Sequence, residues 1–362
     1  MPGKSVIVIG AGLGGLLCGK ILSQHGFRVT ILEQGAQAGG ALQSFVREGI
    51  RFDTGFHSVG GLGPGEPLER IFRPLGLMDL PWMPMEPDEL EGCALPFLRL
   101  SSRTEDEQNH VLEPYRMSTW RLAGGGKTLV DALSAGQDIQ LRKRVSVLEK
   151  GGVTCVDGSR FAADLIVSDI HPATTMRMLR DTLRPAYRNR MEQLENGPGI
   201  FTVYAKLRPG VLEYLNRSIF IGDKVMAHFG EPAPDGSARS LDLLAFETAF
   251  TDQPVIPGSD QSVMPGYDRA SLAESLIRIA AQRLPGLPEA IERFWTSTPQ
   301  TWERYTGTPG GSAYGIVKHD PSDYISPKTP LPWLYLTGQN LGLHGVLGTS
   351  VTALNTCKSI LS

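Results

Sequence analysis

The first apolar stretch of the chain, Val6-Ile7-Val8-Ile9, is continuous where a strand with one wet face would alternate. Such a β-branched run reads as a parallel strand, here over 5–9, buried on both faces. The period then changes. After a glycine-rich turn, apolar positions recur at helical spacing over 16–25, Gly26 closes that helix, and a second strand over 28–32 ends on Glu33. Together they make one βαβ unit of about thirty residues. Later segments read as a glycine-rich loop over 120–127 leading to a short helix from Thr128. A meander over 144–148, 154–156 and 160–161 turns at Gly151-Gly152. Strands over 164–168, 199–207, 241–247 and 333–337, and helices over 269–284 and 348–361, complete the pattern. Nucleotide-type elements thus lie at both ends and in the middle. This predicts an α/β architecture: a discontinuous Rossmann-like domain (1–72, 120–170 and 318–362) with an α+β substrate domain (73–119 and 171–317) threaded through it.

Composition narrows the setting. The 362 residues suffice for two domains, and 41% hydrophobic with 20% charged residues fits a globular protein with a substantial core. Thirty-five basic against 38 acidic side chains leave a net charge of -3, which does not favour nucleic acid as a partner. The run Arg142-Lys143-Arg144 either touches a phosphate or caps a solvated strand end. Cys18, Cys93, Cys155 and Cys357 form no C-x-x-C pair and no zinc pattern. That usage implies a reducing, cytoplasmic compartment, and no metal site is expected. The apolar run over 6–9 is too short for a signal peptide, and nothing approaches the roughly 18 apolar residues of a membrane span. Peripheral membrane contact stays open: Trp82-Met83-Pro84-Met85 and Leu95-Pro96-Phe97-Leu98 form either an apolar surface that admits a lipid or interior packing.

The clearest chemical signal is Gly10-x-Gly12-x-x-Gly15, with Leu13 and Gly14 inside it, set between a strand and a helix. Gly10 permits the tight turn, Gly12 lets backbone approach a pyrophosphate, and Gly15 allows helix–strand packing. The free N–H groups at the helix start then face the phosphates. Glu33, at the end of the second strand, offers a carboxylate to ribose hydroxyls.

That motif does not separate NAD from FAD, but the following residues do. Gly39-Gly40 and Phe52-Asp53-Thr54-Gly55 resemble the FAD-dependent family of phytoene desaturases, carotenoid isomerases, retinol saturases and amine oxidases, and within it the retinol saturase and carotenoid isomerase branch. The resemblance implies that FAD also meets Gln34, Gly39, Gly40, Ala41 and Gly55, and that the backbone of Val145 meets its adenine. Similar to the family, too, are Trp120-Arg121-Leu122-Ala123-Gly124-Gly125-Gly126, as a loop over the flavin, and 298–305 with Gly310-Gly311-Ser312-Ala313-Tyr314-Gly315. Leu334 to Asn340, then Gly345-Val346-x-Gly348, resembles the C-terminal flavin motif. It implies Gly338 and Gln339 at the phosphate and ribityl chain, and Gly345 and Val346 at the pyrimidine ring, in front of a helix start that stabilises the reduced flavin. The family usually has an acid where this chain has Gln339, and the chain is shorter than the family's desaturases between Leu90 and Trp120.

The resemblance implies a flavoenzyme acting on carbon–carbon double bonds of a polyene or other isoprenoid lipid, in an apolar pocket between the domains. His57 and His344 are the candidate catalytic residues, each near the flavin ring or simply packed against backbone. Tyr305 and Tyr314 either line the pocket or belong to the core. Two rivals remain: an amine oxidase, and a non-catalytic carrier of prenyl lipids with the same fold. The oligomeric state is open.

Overall fold

Residues 3–86, 112–180, 183–222, 225–246, 268–318 and 321–362 are described by the computed structural model. The first apolar run, Ser5–Ile9, is the middle strand of a five-stranded sheet. The order is Leu334–Leu336, Leu165–Ser168, Ser5–Ile9, Arg28–Leu32, Asp138–Gln140, and every pairing is parallel. A strand covered on both faces needs apolar side chains on both. Val6 and Val8 join one core with the first helix, Leu13–Gln24, and the last, Gly345–Leu361; Ile7 and Ile9 join another with Val145, Ile166 and Leu334. Each such buried Val or Ile stabilises the fold by about 1.5–3 kcal/mol.

Both of these helices begin earlier than their sequence pattern indicates, at Leu13 and Gly345 instead of 16 and 348. Apolar periodicity cannot see a helical turn made of glycine. The expected loop over 120–127 is corrected to the end of a strand, Thr119–Leu122, and the start of a helix, Gly125–Ser134. Asp53 holds that turn: its carboxylate accepts the Gly126 N–H at 2.9 Å, capping the helix. Gly124 and Gly125 adopt φ of 76° and 64°, a conformation that favours glycine.

The second five-stranded sheet is wholly antiparallel, in the order Ser218–Ile221, Val225–Phe229, Ser240–Phe246, Ile200–Leu207, Ile291–Ser297. Side chains alternate between its faces. Phe201, Val203, Ala205, Ala227, Leu241 and Leu243 pack under helix Arg269–Ala280 through Leu272, Leu276 and Ile277. The opposite face looks toward the parallel-sheet half. There Trp302 packs on Ala41 and Leu244, and the hairpin of Ser44–Arg47 with Ile50–Asp53 sets Phe52 against Tyr204 and Trp295.

Leu75, Leu77 and Trp82, assigned to the substrate domain by sequence, share the core of the first helix. Trp82 lies against Phe56 and Phe72 and donates its indole N–H to the Leu77 carbonyl at 2.8 Å, so it is a packing residue. Of that apolar stretch, Met83 is exposed; 95–98 lie outside the described residues. Lys143 of the basic run pairs with Asp157 at 2.7 Å.

Candidate functional site

At the carboxyl ends of the central parallel strands, chain turns converge on a cradle almost bare of side chains. Gly12 caps the first helix and, as a glycine, supplies no side-chain cap of its own. A Cβ on Gly14 would lie 2.9 Å from the Gly338 Cα, one on Gly40 would lie 3.2 Å from the Gly12 Cα, and one on Gly15 would strike the Gly10 carbonyl. Gly10 and Gly338 hold φ of 97° and 95°. Gly39 donates its N–H to the Ala11 carbonyl at 2.7 Å. Glu33 is buried and accepts the N–H of Ala11 at 2.9 Å and of Gly35 at 2.6 Å. Lys143 N–H meets the Glu33 carbonyl at 2.7 Å, which brings the buried Val145 strand beside it. Gly10, Gly12, Gly14, Gly15, Glu33, Gly39, Gly40 and Gly338 are therefore one cluster. Leu13 belongs to it by backbone alone, because its side chain is in the core. Gln34 is exposed, and Gln339 reaches only the Ala313 carbonyl, at 3.5 Å.

A dinucleotide fits this donor set: helix-start N–H groups for phosphates and a buried carboxylate for ribose. One group in the cradle is an exception. Asp169, at the end of strand Leu165–Ser168, places its carboxylate against Gly12, Gly14, Gly15 and Gly338.

The Thr54–Gly55 turn separates two cavities. The one on the Gly55 side has a volume of ≈ 320 Å³ and brings His57, His228, Tyr314 and His344 together with Gly345 and Val346. Its remaining wall is mainly apolar, with Leu112, Phe220, Met226, Leu343 and Val351. The other, of ≈ 380 Å³, is lined by Gly40, Thr54, Tyr204, Trp295, Trp302 and Tyr305. Neither Tyr305 nor Tyr314 is a core residue.

His57 stacks on His228 with ring centroids 4.3 Å apart and planes 7° apart. Tyr314 lies 4.3 Å from His344. His57 Nδ1 stands 3.8 Å from Asp242 Oδ2, yet this is no ion pair. Burial lowers His57 to about 4 and raises the Asp242 carboxyl above its ordinary range, with Asp53 adding to the rise. His57 is therefore neutral at pH 7, and the Asp242 carboxyl is shifted toward its neutral form. Burial likewise lowers His344 to about 4 and lifts the Tyr314 hydroxyl to about 12. The Nε2 atoms of His57, His228 and His344, and Asp242 Oδ1, are buried without a hydrogen-bond partner among the described residues. Such unspent polar groups call for a functional explanation.

Sequence reading missed His228, Asp242 and Ser218. Cross-strand register places Ser218 opposite His228, His228 opposite Asp242, Asp242 opposite Tyr204 and Tyr204 opposite Trp295. One row of polar and aromatic side chains therefore crosses all five strands, and Ser218 Oγ lies 2.9 Å from His228 Nδ1. The available signal was a carboxylate inside an apolar run, Leu241-Asp242-Leu243-Leu244. The 298–305 segment proves to be helix Pro299–Thr306, started by a Thr298/Thr301 capping box and ended by Gly307, and it aims Trp302 at Ala41.

Residues 8–75 match a family described as an NAD(P)-binding Rossmann-like domain, and residues 90–361, well over half the chain, match the flavin containing amine oxidoreductases. All-trans-retinol 13,14-reductase of Macaca fascicularis is 42% identical over 80 residues, which cover 22% of this chain and 13% of that protein. The 4,4'-diapophytoene desaturase of Methylomonas sp is 46% identical over 52 residues, 14% of this chain and 10% of that one. The chain thus matches only a small part of these curated relatives' length. The solved structure of cyclohexylamine oxidase from Brevibacterium oxydans IH-35A superposes with a TM-score of 0.68 at 13% identity, covering 100% of both chains, a likeness of fold.

Proposed function

Because the chain belongs to the flavin containing amine oxidoreductase family, and so is a flavoprotein oxidoreductase with FAD as its cofactor, we propose that it acts on carbon–carbon double bonds of a polyene or other isoprenoid lipid. The observation that carries this reading is the wall of the ≈ 320 Å³ cavity, which is apolar apart from a few convergent groups. Among the described residues it presents no carboxylate, so it offers no counter-ion to an ammonium substrate. The partial matches to a retinol reductase and a desaturase support the same direction.

In this reading the Gly10–Gly15 turn holds the diphosphate, Glu33 the ribose, and the backbone of Val145 the adenine side. Gly338 and Gln339 meet the ribityl phosphate, while Gly39, Gly40, Ala41 and Gly55, with Gly345 and Val346, border the ring system. The bound flavin supplies hydride acceptance or donation at N5. The chain's part is to exclude water and to handle the proton that double-bond chemistry adds or removes at the neighbouring carbon. His57 is the group placed to exchange it, through an Nε2 with no protein partner. The Asp242 carboxyl behind Nδ1, shifted by burial toward its neutral form, is placed to hold a proton, and Ser218 fixes the ring orientation of His228.

Anaerobic absorbance of the purified protein tests this. Flavin bands that bleach with a carotenoid or retinol, or reduced bands that recover with one, are expected. Bleaching by putrescine or cyclohexylamine with no response to any polyene overturns the reading in favour of amine oxidation. A colourless protein that takes up no FAD leaves the lipid carrier.

A further inference from the structure

The cradle described above contains a charge of the wrong sign. Asp169 is fixed by its own N–H, which bonds the Ile9 carbonyl at 2.8 Å. Its carboxylate reaches across the strand ends into the space that four glycines leave clear. A Cβ on Gly12 would sit 2.7 Å from Asp169 Oδ2 and one on Gly15 3.2 Å from the same oxygen, while Gly14 and Gly338 face Oδ1. The backbone N–H groups of Gly15 and Gly12 favour its charged form. These are helix-start donors of the kind that bind phosphate. Asp169 therefore stands in the glycine cradle, beside the donors that an incoming diphosphate needs.

We propose that Asp169 is a built-in competitor for the cofactor's phosphates, and that FAD seats only when Asp169 is uncharged, so that binding takes up one proton and weakens with rising pH. The proposal rests on the reading that the Gly10–Gly15 turn holds the diphosphate. Two adjacent anions in one low-dielectric cradle repel, whereas a protonated Asp169 can donate its O–H to a phosphate oxygen. The balance is simple: apoprotein carboxylate, one solvent proton and FAD give the complex with a neutral carboxyl, and no covalent bond changes.

The surroundings fit a group that titrates near neutrality. Burial pushes the Asp169 carboxyl up and Glu33 pushes it further, against the pull of the Gly15 and Gly12 N–H groups, leaving it at about 7. The groups facing it can be named element by element. Glu33 comes from the end of the second strand. Cys18 comes from the first helix, its thiol held neutral by its hydrogen bond with Cys357 and by burial. The turn after Leu334–Leu336 brings Thr337 and Gln339, which do not titrate. His171, two residues along, is held down to about 4 by burial. The diphosphate itself stays doubly ionised throughout this range.

Titration of apoprotein with FAD, followed by calorimetry in two buffers of different ionisation heat, tests the proposal without any turnover. Uptake of close to one proton per FAD is expected at pH 8. If only the neutral form is competent, the wild-type Kd rises about tenfold by pH 8 and about a hundredfold by pH 9. Asp169→Asn, nearly the same shape without the charge, is expected to bind FAD with a flat profile and more tightly than wild type above pH 7. No proton uptake, with parallel wild-type and Asp169→Asn profiles, overturns the proposal. Gly12→Ala made on an Asp169→Ala background, and compared with that background, separates the two layers. It adds one methyl to the cradle at a φ of −72° that alanine accepts, with the carboxylate that the methyl would meet removed. If it leaves FAD affinity unchanged, the cradle reading itself fails; if it weakens FAD while the wild-type proton count is zero, only the role of Asp169 fails.

Discussion

The two five-stranded sheets treat buried polarity in opposite ways. In the parallel sheet the central strand is apolar on both faces, and polar groups are held at the strand ends, where backbone N–H groups and two carboxylates, Glu33 and Asp169, meet a cradle of glycines. In the antiparallel sheet the polar groups stand inside the strands, with Ser218, His228, Asp242 and Tyr204 in one register row. One half offers backbone at its rim; the other presents side chains from its middle. A backbone-made site must keep side chains away, so it is intolerant of substitution at glycines. A side-chain site tolerates changes in shape but depends on each proton.

That contrast is sharpest for Gly14→Val. The added Cβ lies 2.9 Å from the Gly338 Cα, and FAD affinity should fall about a thousandfold, roughly 4 kcal/mol, in a fluorescence titration of protein that still melts cooperatively. Retained affinity would break the assignment of binding to the parallel half. His57→Ala should instead keep its full flavin-to-protein absorbance ratio and lose about a hundredfold in the rate at which a polyene changes the flavin spectrum. Loss of flavin together with rate would mean that the two halves do not divide the work. Leu276→Ala, in the helix that covers the far face of the antiparallel sheet, should cost about 2 kcal/mol in urea unfolding and leave the flavin spectrum unaltered.

The smallest effect has a defined sign. The Asp242 carboxyl is raised in the folded state by burial, then by Asp53. Its favourable contribution is full below the ordinary carboxylate range and is lost as pH rises toward the folded value. Wild-type melting temperature should therefore decline from pH 5 to pH 8 more steeply than that of Asp242→Asn, by a few degrees. Parallel slopes would mean that Asp242 ionises freely and stores no proton.

How much could be read from sequence follows the same division. Gly10 to Gly15, Glu33 and Gly338 leave their letters in place because a close backbone approach demands glycine, and the structure gathers them. The start of the first helix at Leu13 escaped, since Gly14 and Gly15 carry no apolar signal. In the other half, the hairpin of Ser218–Ile221 and Val225–Phe229 and the strand Ile291–Ser297 went unread. His228 and Asp242 became a pair only once strand register aligned them, and register is a tertiary property that no local window contains. His57 and His344 were named from adjacent motifs and do share a cavity. Asp169 was passed over because a lone aspartate after a strand looks like any turn residue.

The arrangement of the parallel sheet also dictates an order of events in synthesis. One of its two edge strands is Leu334–Leu336, and the helix that covers Leu17 and Cys18 is Gly345–Leu361. Thr337 meets Cys18 across 319 positions of chain. The antiparallel sheet has all its strands once Ser297 has emerged. The older, N-terminal half must wait with one greasy helix face uncovered until the last segments arrive. Closure of such distant pairs is slow, so the nascent chain carries a long-lived sticky patch on its first helix, the place where a chaperone would hold it.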